Sequence, residues 1–217
     1  MINVINVQGE SFRRYLRRKM TIHFTIDTET LSKSPNGVVL SLSIVPFDFE
    51  EEGVTFKKLV KRGINLKMSV KEQVKTYKRK LCPETMDWWA KQDADARQIL
   101  KALDTDLTVV ETLEQFEDFL HNNGYEKKNS WLFARGTVFD FGKLETLYEN
   151  VNREIPYRYN MVNDLRTMVN CFTGVKDGRF DTDGNRDGFI HHNSLHDAAS
   201  DSMTMIEIYN MVLNGEI

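Results

Sequence analysis

The stretch Ile22–Thr30 reads Ile-His-Phe-Thr-Ile-Asp-Thr-Glu-Thr, and its apolar and β-branched residues predict a buried β-strand. Side chains alternate between the two faces of a strand, so Asp27 and Glu29 project from the same face near its carboxyl end. Open α/β sheets bind their ligands at that end of their strands. Two carboxylates held side by side favour a hard cation there, although a solvated acid pair has the same sequence signature.

The pattern after this strand predicts an α/β fold. Short turns join three predicted strands into an antiparallel meander, namely Ile22–Asp27, Val38–Phe47 and Val54–Val60, the last with an optional continuation through Gly63–Met68. A short strand is predicted at Trp131–Arg135. Helical spacing predicts helices at Pro83–Gln92, Ala94–Leu103, Thr108–Asn122, Phe139–Asn150, Met161–Phe172 and Leu195–Leu213.

The composition bounds the class of protein. The chain has 217 residues, of which 41% are hydrophobic and 28% charged, and this fits one ordinary globular domain. No window approaches the roughly 18 consecutive apolar residues of a membrane span, and the first 20 residues lack the apolar region of a signal peptide. Two cysteines are too few for a disulfide framework. We therefore expect a cytoplasmic protein without a membrane partner, and its oligomeric state stays open.

We expect one domain over residues 20–217. Residues 1–19 carry a basic amphipathic pattern and are interpreted as a loosely ordered N-terminal extension, with a nucleic-acid-contacting arm as the alternative. The net charge is −3, yet residues 57–80 contain ten basic residues against one acid. Such a patch could follow a phosphate backbone, and a solvated surface explains it equally well.

Two further acids and one histidine complete the candidate site. Asp140 opens the helix predicted after the strand Trp131–Arg135, again near a strand's carboxyl end. Asp201 lies inside the last predicted helix, five residues after His196. Five residues turn a regular helix by about 500°, so these two side chains do not share a face. We therefore place His196 at the junction of loop and helix, free to swing towards a site that Asp201 helps to build.

Three segments carry a resemblance to a known family. In chain order, Phe24–Thr30, Arg135–Phe141 and His196–Asp201 resemble the three exonuclease motifs of the DEDDh branch of the DnaQ-like 3′–5′ exonucleases. Within that superfamily the likeness is greatest to phage-type exonuclease A and the related bacterial exoribonucleases. It includes Thr85–Trp89 and Asp164–Thr167 as well, and covers the chain from about residue 20 to the C terminus. Each motif is weak alone, whereas the ordered set of three with its H-x4-D spacing is specific.

The resemblance implies a fold, a metal site and a catalytic base. The fold is ribonuclease-H-like, a five-stranded mixed sheet of three antiparallel strands and then parallel ones, flanked by helices. Asp27, Glu29, Asp140 and Asp201 would bind two divalent ions, Mg²⁺ or Mn²⁺. His196 would be the general base that takes a proton from the attacking water, so we expect activity to rise between about pH 6 and 8.

Candidate substrate contacts are Thr30, Leu31, Trp88, Trp89, Arg135 and Arg166. The first two directly follow the acid pair, and the arginines could contact phosphate. Adjacent helical residues point about 100° apart, so we expect one tryptophan to stack on an unpaired base and the other to pack in the core. Core packing of both tryptophans is the alternative.

These observations predict a metal-dependent 3′–5′ exonuclease that releases nucleoside 5′-monophosphates from single-stranded ends. The phage-type likeness favours DNA over RNA as the substrate. The competing hypothesis is a nuclease-like scaffold that binds nucleic acid without cleaving it. Loss of a motif residue would indicate such a scaffold, and all five motif positions are intact.

Overall fold

Strand β1 (His23–Thr30) lies at the centre of a five-stranded sheet with the order β3-β2-β1-β4-β5. Strands β2 (Val39–Phe47) and β3 (Ile64–Lys67) continue antiparallel on one side of it. Strands β4 (Leu132–Ala134) and β5 (Val162–Asp164) continue parallel on the other side. The predicted mixed sheet, antiparallel first and then parallel, is confirmed.

Helices cover both faces of this sheet. The computed structural model describes residues 21–176, 180 and 186–217, so the predicted extension 1–19 lies outside the described residues. The described α-helices are α1 (Phe56–Arg62), α2 (Val70–Lys75), α3 (Pro83–Ala90), α4 (Val109–Asn122), α5 (Thr137–Asn150), α6 (Leu165–Thr173) and α7 (Ser194–Asn214). None of the described helices is long and apolar enough to cross a membrane.

Three predicted elements differ from the structure. The helix predicted at Met161–Phe172 begins only at Leu165, because Val162–Asp164 pairs with β4 as strand β5. The segment Val54–Val60 was predicted as a strand, but Phe56–Arg62 forms helix α1, because Thr55 caps it by accepting a hydrogen bond from the Lys58 N–H. Phe56 and Leu59 are buried three positions apart, which is a helical spacing. The helix predicted at Ala94–Leu103 is reduced to a 3₁₀ turn over Ala96–Leu100.

The two faces of β1 differ in chemistry. On one face Phe24 and Ile26 pack in a large apolar core together with residues of α4 and α5. The other face, towards α7, carries His23, Thr25, Asp27 and Glu29. Thr25 satisfies its hydroxyl there by donating to the Ala198 carbonyl at 2.7 Å. Helix α7 therefore packs directly on the strand face that carries the acid pair.

Candidate active site

Asp27 and Glu29 lie together at the carboxyl end of β1. Glu29 is only 8% exposed, and burial, followed by the negative charges of Asp197 and Asp140, raises its pKa to about 8. Burial also raises the pKa of Asp27 well above its ordinary value, with Asp140 the largest contributor among the neighbouring acids. Both carboxylates are held where their ionised form is costly unless a cation offsets the charge.

Asp140 stands beside this pair through a direct contact with β1. It lies in the first turn of α5, just after Gly136, whose φ of 117° lets the chain turn sharply between β4 and the helix. The backbone N–H and the hydroxyl of Thr28 donate to its Oδ1 at 3.1 and 2.7 Å. Burial raises the pKa of Asp140 to about 6, and the hydrogen bonds from Thr28 oppose that rise. Thr28, which lies between the two acids of β1, therefore holds Asp140 in place beside them.

Asp201 joins the site from α7 and is paired with an arginine. Arg135 donates from Nε and Nη2 to Asp201 Oδ1 at 2.9 and 2.7 Å. Burial raises the pKa of Asp201, and the positive charge of Arg135 opposes the rise. Arg135, a predicted phosphate contact, thus lies against a predicted metal ligand.

A fifth acid, Asp197, was not among the predicted site residues. Carboxylate oxygens of Asp27, Glu29 and Asp197 lie within 4.8 Å of one another. Burial, then the charge of Asp201, raises the pKa of Asp197 to about 7. Asp197 precedes Asp201 by four residues, the spacing that places two side chains on one helix face, and this was the available sequence signal.

His196 lies in the first turn of α7, near the junction of loop and helix where the sequence places it, and its ring contacts the preceding loop and helix α1. Its Nδ1 accepts a hydrogen bond from the Ile190 N–H at 3.0 Å, and its ring packs edge-on against Phe56 with centroids 5.5 Å apart. Burial lowers the pKa of the imidazole below its ordinary value. A general-base role therefore requires Nδ1 to lose the hydrogen bond from Ile190.

The two tryptophans separate between surface and core. Trp89 is 1% exposed, and its Nε1 donates to the Thr30 carbonyl at 2.9 Å. Trp88 is 41% exposed and packs edge-on against the ring of His192, with centroids 4.7 Å apart. Trp88 is therefore the one of the pair that can offer a face to a base.

The remaining predicted substrate contacts differ in accessibility. The side chains of Thr30 and Leu31 are buried, and Leu31 packs in the same small apolar cluster as Trp89. Arg166 is exposed in the first turn of α6, and its positive charge opposes the rise that burial causes in the pKa of Asp201. Of these three side chains, Arg166 is the one placed to meet a phosphate.

A cavity of about 210 Å³ opens beside Glu29, and sequence reasoning missed it. Its floor comes from β2 and β3 and its wall from the 3₁₀ turn Ala96–Leu100. The residues that line it include Ser41, Asn65, Lys67, Gln98, Ile99, His192 and Asn193. Because these residues are distant in sequence, no local pattern could have indicated the cavity.

Several basic residues of the segment 57–80 serve the fold. Arg79 is buried and donates from Nε and Nη2 to the Gly37 carbonyl at 2.9 and 2.6 Å, which holds the loop that follows β1. Arg62 pairs with Glu51, and Lys67 with Asp106. These contacts weaken the interpretation of the whole segment as a phosphate-binding surface.

The mixed sheet carries a cluster of acids at the end of β1, and the family comparison identifies the chain as a 3′–5′ exonuclease. Residues 22–209 match the model of the Rv2179c-like 3′–5′ exoribonuclease domain, and the chain belongs to that family. It is 30% identical over 198 residues to an exodeoxyribonuclease of Enterobacteria phage T4, covering 84% of this chain and 86% of the phage protein.

Two solved structures share the fold. The nuclease domain of 3′hExo, a DEDDh family member bound to rAMP, is 13% identical and superposes with a TM-score of 0.57 over 91% of this chain and 94% of that domain. Cell-death related nuclease 4 (CRN-4) is 16% identical with a TM-score of 0.55, covering 88% of this chain and 64% of the CRN-4 chain. Both likenesses establish the architecture of the sheet and its helices.

Proposed function

We propose that the protein removes nucleoside 5′-monophosphates from single-stranded 3′ ends in a reaction that requires divalent cations. The buried carboxylate set at the end of β1 carries this proposal. Burial and mutual repulsion raise the pKa of Glu29 to about 8 and that of Asp140 to about 6. A divalent cation relieves such repulsion, and hard oxygen donors suit Mg²⁺ or Mn²⁺.

The donor set fits two cations. Asp27, Glu29, Asp140 and Asp201 would hold them, as the motif resemblance implies. When bound, two divalent ions stabilise charge on both the attacking and the leaving oxygen of a phosphodiester. Arg135 would then be free to exchange Asp201 for a substrate phosphate, because guanidinium groups bind both partners through the same donors.

His196 is proposed as the general base, and its contacts define what must change first. With Nδ1 accepting from Ile190, the neutral ring carries its proton on Nε2, so neither nitrogen can take a proton from water. Loss of the hydrogen bond from Ile190 frees Nδ1. We propose that substrate binding displaces this loop contact and turns the ring towards the acids, since catalytic hydrogen bonds often form only in the substrate complex.

Trp88 is proposed to stack on an unpaired base near the scissile end. A base–aromatic stack contributes about 1–3 kcal/mol and tolerates every base, which suits an exonuclease that removes nucleotides in turn. The cavity beside Glu29 gives the terminal nucleotide further room next to the acids. Arg166 is proposed to contact phosphate.

We propose DNA as the preferred polymer. The phage relative, which covers most of this chain, is named an exodeoxyribonuclease, whereas the family model is named for exoribonucleases. We further propose that residues 20–217 act as one catalytic domain in the cytoplasm, with residues 1–19 as an accessory extension.

The test is a product ladder. The pure protein is incubated with 5′-labelled and 3′-labelled single-stranded DNA and RNA of the same sequence, with Mg²⁺, with Mn²⁺ and with chelator. We expect the 5′-labelled strands to shorten stepwise from the 3′ end, the 3′-labelled strands to release labelled mononucleotide at once, and chelator to stop both. Faster shortening of RNA would overturn the DNA preference alone.

The variant Asp27→Asn tests the assigned site, and Asp118→Asn is its matched control. Asp27→Asn removes one charge with little change in volume, so we expect the fold to persist and cleavage to fall by at least 10²-fold, on the order of what one lost transition-state contact costs. Asp118→Asn makes the same chemical change on an exposed position of α4, on the opposite face of the sheet, and should cleave at the wild-type rate. Wild-type turnover by Asp27→Asn would contradict the assigned site.

A further inference from the structure

Asp197 is not one of the four motif acids, yet its side chain lies close to Asp27 and Glu29 on β1. It is the fourth residue of α7, and its carboxylate oxygens lie within 4.8 Å of those of Asp27 and Glu29. Asp140 already accepts two hydrogen bonds from Thr28, and Asp201 already pairs with Arg135. The three mutually close carboxylates are therefore a different set from the four motif acids.

The acids of the site differ in whether a positively charged side chain pairs with them. Among the residues that the structure describes, none of Asp27, Glu29 and Asp197 forms an ion pair, whereas Asp201 does. Three carboxylates at this separation repel one another strongly when partly buried, and a bound cation converts that repulsion into attraction. One ligand oxygen from each of the three lies within 4.8 Å of the others, so a single cation bound between them could take a ligand from all three.

The backbone on the other side of Asp197 also acts on its carboxylate. The backbone N–H groups of His192 and Asn193, the two residues that lead into α7, oppose the rise in the pKa of Asp197. His192 has a positive φ of 59° and packs edge-on against Trp88. The Asp197 carboxylate therefore lies between the acid pair of β1 and the loop that carries His192, whose ring packs against Trp88.

We propose that Asp197 is a fifth carboxylate of the metal centre, giving an oxygen to the cation between Asp27 and Glu29 while holding the His192–Asn193 turn. The proposal rests on the proposed function, since it needs a cation at this site. It goes beyond the motif resemblance, which assigns four acids. If so, the position of the Trp88 side chain depends on whether the metal site is occupied.

The test measures cation binding without nucleic acid. Isothermal titration calorimetry with Mn²⁺ compares the wild-type protein with Asp197→Asn, which loses the charge but keeps an oxygen that can accept from both backbone N–H groups. We expect Asp197→Asn to bind Mn²⁺ at least about tenfold more weakly, as for the loss of other groups that support a metal. The charge-matched control Asp118→Asn should bind as the wild type does.

A second variant separates a metal role from a purely structural one. If Asp197 only held the turn, Asp197→Asn would bind Mn²⁺ with wild-type affinity while Asp197→Ala unfolded at lower temperature, and this result would overturn the proposal. Weakened binding by Asp197→Asn at an unchanged unfolding temperature supports it. Absence of Mn²⁺ binding by the wild-type protein would instead overturn the proposed function, so the two failures are distinguishable.

Discussion

Arg135 donates two hydrogen bonds to a single oxygen of Asp201, from Nε at 2.9 Å and from Nη2 at 2.7 Å. The side chain of Asp201 is 7% exposed and that of Arg135 is 25% exposed, so the pair is largely shielded from water. The arginine thus compensates the charge of Asp201. Because Asp201 is also a proposed metal ligand, we expect Arg135 and a cation to compete for this carboxylate.

Replacement of Arg135 by methionine should expose this competition. We expect Arg135→Met to lower the free energy of unfolding in chelator by about 2 kcal/mol at pH 8, because Asp201 is left buried and unpaired. Added Mg²⁺ should recover part of that loss by binding the freed carboxylate. Urea unfolding with chelator and with Mg²⁺ measures both values.

A surface arginine provides the control for this prediction. Arg153 pairs with Glu117 at 2.8 Å where both side chains are about one-third exposed. Arg153→Met should cost less than about 1 kcal/mol and show no response to Mg²⁺. An equal loss in the two variants, or no recovery by Mg²⁺ in Arg135→Met, would show that the cation does not compete for Asp201.

The two adjacent tryptophans should respond oppositely to truncation. Trp89→Ala should destabilise the fold by about 3–5 kcal/mol, because it empties a buried site and leaves the Thr30 carbonyl without its donor. Trp88→Ala should leave stability nearly unchanged and raise KM for single-stranded substrate about tenfold, as expected for the loss of one stacked base. Thermal unfolding and steady-state kinetics on one oligonucleotide separate the two effects, and an unchanged KM in Trp88→Ala would remove its assigned role.

The fold was predictable where local pattern and burial agree. Alternation placed Asp27 and Glu29 on one face of β1, and the structure has them there. Residues 54–60 gave the wrong element because their apolar positions fit a strand and a short helix equally well. The side-chain cap from Thr55 and the packing of Phe56 and Leu59 against the rest of the fold decided for the helix.

The site was less predictable because it depends on contacts between distant segments. The acids were identifiable from motif order, but the partnership of Asp140 with Thr28 and of Asp201 with Arg135 joins segments separated by 112 and 66 residues. The contribution of Asp197 depends on the direction in which α7 faces β1, which no local pattern contains. The orientation of His196 is likewise set by Phe56 and by the Ile190 N–H.

His23 should make the stability of the fold depend on pH. Burial among aromatic rings lowers its pKa from 6.5 to about 4, and its Nδ1 accepts from the Trp131 N–H at 3.0 Å. Because the unfolded chain binds the proton more readily, stability falls as pH drops from 6.5 towards 4, by about 2 kcal/mol at pH 5. His23→Gln keeps an acceptor for Trp131 but does not titrate. We expect the loss of unfolding free energy between pH 7.5 and 5 to be about 2 kcal/mol smaller in this variant, and equal losses would refute the assignment.

His196 should set the acidic limb of the rate profile if it is the base. Burial lowers its pKa below 6.5, so the rise in kcat/KM that the sequence predicted between about pH 6 and 8 should lie at lower pH. His196→Ala should reduce kcat by about 10²–10⁴-fold and lose this limb. His121→Ala, at an exposed position in the last turn of α4, should change neither.

Profiles of rate against pH measured at several Mg²⁺ concentrations distinguish the histidine from the acids. Added cation displaces protons from carboxylates, so an acidic limb that belongs to them moves with Mg²⁺. An acidic limb that belongs to a histidine that does not bind metal stays in place. A limb that moves with Mg²⁺ and survives in His196→Ala would assign it to the acids and leave His196 with a packing role.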